Sequence, residues 1–133
     1  MGPDGVESVF MTSLESARYL SLATFRRNGR AVETAVWFAI ADDHLYVFSA
    51  ADAGKVKRLR NSPRARVTPC DVRGRLQGEP RDTQARVVSD PESIKRAYAA
   101  LRAKYGLQMW LTDFFSRLTG RINSRAIIEI DRP

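Results

Sequence analysis

The stretch Tyr19–Ile40, which reads YLSLATF, RRNGR, AVETAVWFAI, decides how this chain folds. Its first seven residues alternate so that Leu20, Leu22 and Thr24 share one face, the period of a half-buried strand. Arg27-Asn28-Gly29-Arg30 interrupts the alternation, and Asn-Gly supplies the positive φ angles of a tight hairpin. The second arm puts Val32, Thr34, Val36, Phe38 and Ile40 on one face and Ala31, Glu33, Ala35, Trp37 and Ala39 on the other. Large apolar groups on both faces predict one long strand, covered on both sides for much of its length.

Working outward, Val6, Phe10, Leu14 and Ala17 recur at helical spacing ahead of the hairpin, so a short amphipathic helix ends near Arg18. After the hairpin, Asp42-Asp43 turns the chain into a third strand, His44 to Ser49. Asp52 is placed to cap a helix from Ala53 to Asn61 that turns Val56 and Leu59 inward and stops at Ser62-Pro63. Arg64 to Cys70 reads as a fourth strand and Arg75 to Val88 as a fifth, whose first half Gly78 and Pro80 demote to an edge or bulge. Asp90-Pro91 opens a helix with Ile94, Ala97, Tyr98, Leu101 and Tyr105 on its apolar face, which Gly106 ends. A further helix carries Leu107, Trp110, Leu111, Phe114, Phe115 and Leu118 as far as Gly120, and Arg125 to Asp131 forms the last strand.

Five or six short antiparallel strands joined by tight turns exclude a doubly wound parallel sheet, which needs crossovers. A small barrel with inserted helices is the economical arrangement, because closure removes exposed strand edges. The chain has 133 residues, no repeat and no linker, so a single domain spans 1–133. A hydrophobic fraction of 44% and a charged fraction of 28% exclude wholesale disorder. Cys70 is the only cysteine, no apolar run is long enough to span a membrane, and Asp4 and Glu7 stand where a signal peptide would be basic. The expected location is the cytoplasm. With 22 basic against 15 acidic residues, the net charge of +7 attracts polyanions, whether nucleic acid, acidic lipid or a phosphorylated cofactor.

Two segments carry candidate chemistry. Phe48-Ser49-Ala50-Ala51-Asp52-Ala53-Gly54-Lys55-Val56-Lys57-Arg58 leads from a strand end through small residues into a helix start. The dipole is positive there, so Lys55, Lys57 and Arg58 oppose it by a few tenths of a kcal/mol each, roughly. A phosphate resting on the free amides, with Ser49 donating and Lys55 reaching over, reverses that sign. The competing reading is a solvated basic helix face, and the P-loop pattern is absent. The second segment is Glu33-Thr34-Ala35-Val36-Trp37-Phe38, along which a flat heterocycle can bond to backbone groups and stack, with Trp37 as the natural partner. Ordinary barrel core is the competing reading here. His44 is the only histidine and no Gly-x-Ser-x-Gly occurs, so zinc sites and a serine hydrolase triad are poorly supported.

Taken together, Thr34-Ala35-Val36-Trp37-Phe38, Phe48-Ser49 and Gly54-Lys55-Val56-Lys57-Arg58-Leu59-Arg60-Asn61-Ser62-Pro63-Arg64-Ala65 resemble the pyridoxamine 5'-phosphate oxidase-like, FMN-binding split β-barrel superfamily. More narrowly they resemble its deazaflavin (coenzyme F420)-dependent oxidoreductases, over about Leu14 to Ile130. The resemblance implies a mainly β, six-stranded antiparallel split β-barrel forming a homodimer with two cofactor sites at the subunit interface. It implies that Ser49, Lys55 and Lys57 surround the cofactor phosphate and that Thr34, Ala35, Val36 and Trp37 run along the ring, with Phe48, Gly54 and Val56 completing the set. Ala35 departs from the proline that relatives often carry, and Arg58 from an asparagine. No C-terminal Arg/His substrate pattern is found, which disfavours vitamin B6 oxidation.

The implied function is hydride transfer from reduced coenzyme F420 to a small electrophile, with FMN as the alternative cofactor. The acidic tail of the deazaflavin suits Arg26, Arg27, Arg30, Arg73 and Arg75 near predicted turns. No catalytic acid or base is assigned, because the cofactor carries the redox chemistry. A basic nucleic-acid-binding barrel and a non-catalytic cofactor carrier are the readings of another class, nucleic acid being the less expected partner.

Overall fold

In a computed structural model of the chain, the described residues are 10, 12–106 and 125–133. The expected helix over 107–120 and residues 1–9 and 11 of the first one lie outside them. Residues 12–16 are helical, and Phe10, Leu14 and Ala17 are buried as their spacing required.

Among the described residues seven strands form one antiparallel sheet in the order β2-β1-β5-β6-β7-β4-β3. They are β1 (Tyr19–Phe25), β2 (Ala31–Val36), β3 (Ala39–Ala41), β4 (His44–Ala50), β5 (Arg64–Cys70), β6 (Arg81–Val88) and β7 (Arg125–Asp131). Among the described residues two helices are inserted between strands, α1 (Gly54–Asn61) and α2 (Pro91–Tyr105). β2 and β3 stand at opposite ends of the strand order, yet only Trp37 and Phe38 separate them along the chain. The sheet therefore curls until its two ends meet. β6 is shared by both halves, its residues 81–84 pairing with β5 and 85–88 with β7. The interior is one apolar cluster that includes Leu20, Leu22, Val36, Phe38, Leu45, Val47, Val67, Ile128 and Ile130. Val56 and Leu59 of α1 belong to the same cluster, so α1 plugs the barrel. α2 packs outside, where Ala97, Leu101 and Tyr105 meet Ala39, Tyr46 and Ile127.

Several sequence expectations change. The long second arm of the hairpin is two strands, which raises the count from six to seven. The cause is Tyr105 on α2, whose hydroxyl accepts from the Phe38 N–H at 2.9 Å and lies 2.9 Å from the Phe38 carbonyl. Backbone groups that a continuous ladder would have paired are satisfied from outside it. β2 is not covered on both sides: Ala31, Glu33, Thr34 and Ala35 are exposed and only Val36 is buried, because β2 is a terminal strand and the apolar cover begins at Val36. In the hairpin turn Gly29 alone takes a positive φ, 86°, while the Asn28 side chain accepts from the Arg30 N–H at 3.0 Å. That is a three-residue loop closing on a left-handed glycine. Asp52 does not cap α1; Ala53 occupies the N-cap with no side-chain hydrogen bond. Asp90 caps α2 as expected, accepting from the Ser93 N–H at 3.0 Å, with proline in the first turn. Pairing along 75–88 is regular only from Arg81, with one isolated bridge from Leu76 to Cys70, in keeping with Gly78 and Pro80.

Among the described residues no helix is long and apolar enough to cross a membrane, and no cluster of His, Cys, Asp and Glu is placed to hold a metal ion.

Candidate functional site

The ladder between β3 and β4 stops at the pair Ala39–Tyr46, whereas β4 continues to Ala50. On the facing side β2 ends at Val36. Among the described residues no strand pairing joins β2 to β4, so the barrel is split between Thr34–Val36 on one lip and Val47–Ser49 on the other. Among the described residues β2 pairs only with β1, so every second residue along it turns its N–H and C=O toward the split. α1 follows β4 after a three-residue connection and sits at the end of this opening.

Side chains then divide by face. Val36, Val47 and Ser49 point inward with the core, and the Ser49 hydroxyl donates to the Ala50 carbonyl at 3.2 Å. Thr34 shares their face, since it pairs with Leu22, but it is exposed at the barrel mouth. Trp37 and Phe48 face outward and pack on α2. The Trp37 ring stacks on Tyr105 at 4.6 Å and 12°, and meets Phe48 edge-on at 6.1 Å. Sequence reasoning grouped Trp37 and Phe48 with Ser49; the structure puts them on the other side of the wall.

At the start of α1 the first turn holds no acid. The Val56 and Lys57 N–H groups turn back to the Ala53 carbonyl at 3.1 and 3.2 Å, which leaves Gly54 and Lys55 at the uncapped positions. Lys55 is half-buried, and desolvation, then the neighbouring Arg58 charge, pulls its amine below the ordinary lysine range. Val56 is fully buried and offers only backbone, and Lys57 is exposed on a different side of the helix.

Arg58 is the residue whose role the sequence left open. It lies in the last turn of this short helix, yet its guanidinium folds back over the first: Nη1 is 2.7 Å from the point where a Cβ on Gly54 would stand. Its Nε donates to the Thr24 hydroxyl, fully buried on β1, at 2.7 Å. Thr24 pairs with Val32, and Leu22 with Thr34, so Thr34 is the diagonal neighbour of the threonine that holds Arg58. Arg58 thus joins Gly54 at the helix start to Thr24 on β1, with Lys55 next to Gly54 and Thr34 diagonal to Thr24, while Val36 and Ser49 lie further along the two lips. The signal was present in the sequence as a threonine facing the core beside a glycine-started basic helix, but the pairing register was needed to join them.

Among the described residues neither Lys55 nor Arg58 has an acidic partner, and two such cations at the positive end of a helix repel the field and each other. An anion at that end converts the repulsion into charge-assisted hydrogen bonds. Glycine at position 54 is what leaves room for the guanidinium, so this cradle is one that a side chain would fill.

The profile of a known family, described as pyridoxamine 5'-phosphate oxidase, matches residues 7–131. Among solved structures the chain is similar to the conserved hypothetical protein Rv2991 from Mycobacterium tuberculosis, at 23% identity and a TM-score of 0.69, covering 100% of this chain and 82% of that one. It is similar to HutZ, a heme storage protein from Vibrio cholerae, at 15% identity and a TM-score of 0.71, over 96% of this chain and 89% of that one. It is also similar to an FAD-binding protein from Mesorhizobium loti, at 20% identity and a TM-score of 0.63, over 96% and 87%. These likenesses show a shared fold. No curated protein matches the sequence. The span of the profile match, on a chain whose sheet closes and splits in this way, makes it a member of the pyridoxamine 5'-phosphate oxidase family, the FMN-binding split barrels that include flavin oxidoreductases.

Proposed function

We propose that the chain is a homodimeric oxidoreductase that holds coenzyme F420 in the split and passes hydride from its reduced form to a small electrophilic substrate. The observation that carries this reading is the cationic, uncapped start of α1, where Lys55 and Arg58 flank Gly54 with no acid in the first turn. A phosphoryl group there bonds to the Gly54 and Lys55 amides and to both side chains. The ring then extends along the β2 lip, where Thr34, Ala35 and Val36 offer backbone donors and acceptors at an unpaired strand edge. Ser49 and Val47 form the opposing lip, and the apolar interior behind them excludes water. Lys57, Phe48 and Trp37 support the site from outside it, through the helix and through the wall.

The deazaflavin supplies hydride chemistry when bound, and the residues of this chain bind, orient and shield. Preference for the deazaflavin over FMN rests on the arginine hairpin. Arg26, Arg27 and Arg30 are exposed and follow directly from Thr24 and Phe25, so they stand at the same end of β1 and β2 as Arg58. An acidic tail leaving the phosphate meets them; FMN, which ends at its phosphate, does not. FMN is the second reading, favoured by membership of the family.

Titration of the purified protein with FMN and with coenzyme F420 separately, followed by the ring's fluorescence, tests both. Tight binding of F420 that survives moderate salt, and about tenfold weaker binding by Lys55→Ala, are the expected results. Binding of oligonucleotides at low salt that collapses as salt rises, with neither cofactor bound, would replace the proposal with a nucleic-acid role. Bound F420 whose reduced form no acceptor oxidises would make the protein a carrier.

A further inference from the structure

Lys104 stands in the last turn of α2, apart from the cationic start of α1. Its Nζ lies 3.4 Å from the centre of the buried Phe38 ring and 5.4 Å from that of Tyr105. The Arg18 guanidinium stands 5.3 Å from the same Tyr105 ring, so two cations crowd one aromatic side chain whose neighbour Trp37 is already stacked on it. The amine is half-buried, and among the described residues no carboxylate lies within ion-pairing distance of it. The Lys104 side chain also lines a shallow pocket of about 360 Å³ together with Glu15, Ala39, Ile40, Ala100 and Ala103. The walls are small and apolar, and among the described residues Glu15, exposed at the rim, is the one acid that lines it. Desolvation and an adjacent cation are the two devices that free an amine of its proton near neutral pH. Both act here, and the amine is lowered to about 8, by burial first and by Arg18 second. Among the described residues, the titratable and charged groups that face it are Glu15 and Arg18 ahead of β1 and Tyr105 on its own helix.

We infer that Lys104 is a nucleophilic amine that captures small apolar aldehydes in the Ala39–Ala103 pocket as an imine. The Nζ lone pair attacks the carbonyl carbon, both protons of the neutral amine pass to the departing oxygen, directly or relayed by solvent, and that oxygen leaves as water as the C=N bond forms. No electrons are exchanged with an outside reagent. The pocket accepts a short aliphatic chain beside Ile40 and Ala100, while a charged or bulky aldehyde meets an apolar wall.

Reductive alkylation of the full chain with propanal and cyanoborohydride, read by peptide mass spectrometry, tests this. Lys95 on the same helix and Lys57 on α1 are exposed and serve as internal references. At pH 8 about half of Lys104 is neutral against roughly one in 250 for an unperturbed lysine, a ratio of about a hundred that the lower nucleophilicity of a less basic, half-buried amine offsets in part, so its labelling runs on the order of tenfold faster than that of either reference. Its labelling rate levels off above pH 8 while theirs continues to climb. Ala103→Leu, on the exposed side of α2, narrows the pocket and removes the preference for propanal while leaving the labelling of Lys95 unchanged. Labelling of Lys104 no faster than that of Lys95, or a preference that persists in Ala103→Leu, would overturn the inference.

Discussion

The Tyr105 hydroxyl, 67 residues away in sequence, accepts the Phe38 N–H at 2.9 Å, and the same oxygen lies 2.7 Å from the Arg18 carbonyl. One phenol thus joins α2, the corner where the sheet's two ends meet, and the residue that leads into β1. Burial pushes the Tyr105 pKa up to about 12, so the group stays a neutral donor and acceptor across the physiological range.

Removing it is costly beyond the one bond. Tyr105→Phe keeps the ring under Trp37 but leaves the buried Phe38 N–H and the Arg18 carbonyl without their partner. The expected loss is about 1–3 kcal/mol of folding stability, measured by urea denaturation. A midpoint equal to that of the native chain would show that the corner holds without the phenol.

Gly54→Ala separates binding from stability. A Cβ at this position displaces the guanidinium of Arg58 from the start of α1 and breaks its bond to Thr24. Alanine is the better helix former by up to about 1 kcal/mol, which offsets the lost hydrogen bond of similar size. Stability therefore stays within about 1 kcal/mol of the native value while cofactor affinity falls by about an order of magnitude. Equal affinity in a titration would remove Arg58 from the phosphate site.

The arginine hairpin distinguishes the two cofactors. Replacing Arg26, Arg27 and Arg30 together by glutamine weakens F420 binding several-fold at low salt and leaves FMN binding unchanged. Parallel weakening of both would mean that the hairpin provides only a general field, and no effect on either would withdraw the argument for the deazaflavin.

Lys104 and Tyr105 give the stability curve a shape. The folded-state pKa of Lys104 lies near 8, below the 10.5 of an exposed lysine. Between those values the unfolded chain holds more protons, so stability rises with pH across that window. Tyr105 acts in the opposite sense: its folded-state value of about 12 exceeds the ordinary 10.0, so stability falls as pH climbs from 10 toward 12. Denaturation followed across pH is expected to peak near pH 10. Lys104→Met keeps the stem, removes the buried charge, raises stability at pH 7 by about 1 kcal/mol and flattens the rise above pH 8. A rise unchanged in that variant would assign it to another group.

What the sequence revealed was what depends on near neighbours. The hairpin, the turn at Asp42-Asp43, the cap at Asp90 and the stop at Gly106 follow from local chemistry and stand where the alternation put them. The break at Trp37 and Phe38 was hidden, because its cause sits on a helix far along the chain. The same holds at the candidate site. A basic helix start after small residues is visible in the sequence, but the reach of Arg58 to Thr24 depends on a side chain folding back along its own helix. Trp37 was read for its ring alone, and only the packing of α2 shows that the ring already has a partner.

The pairing of β4 with β7 also sets when the protein can finish folding. That ladder joins His44 to Asp131 and Ala50 to Arg125, and the second half of β6 rests on the same strand. A chain emerging from the ribosome at roughly 5–20 residues per second can form its first hairpin early, but it cannot close before the segment from Arg125 to Asp131 has left the exit tunnel. Until then β4 and half of β6 wait with open edges. Nascent copies on neighbouring ribosomes are therefore most exposed to pairing with one another, or in need of chaperones, until that segment emerges.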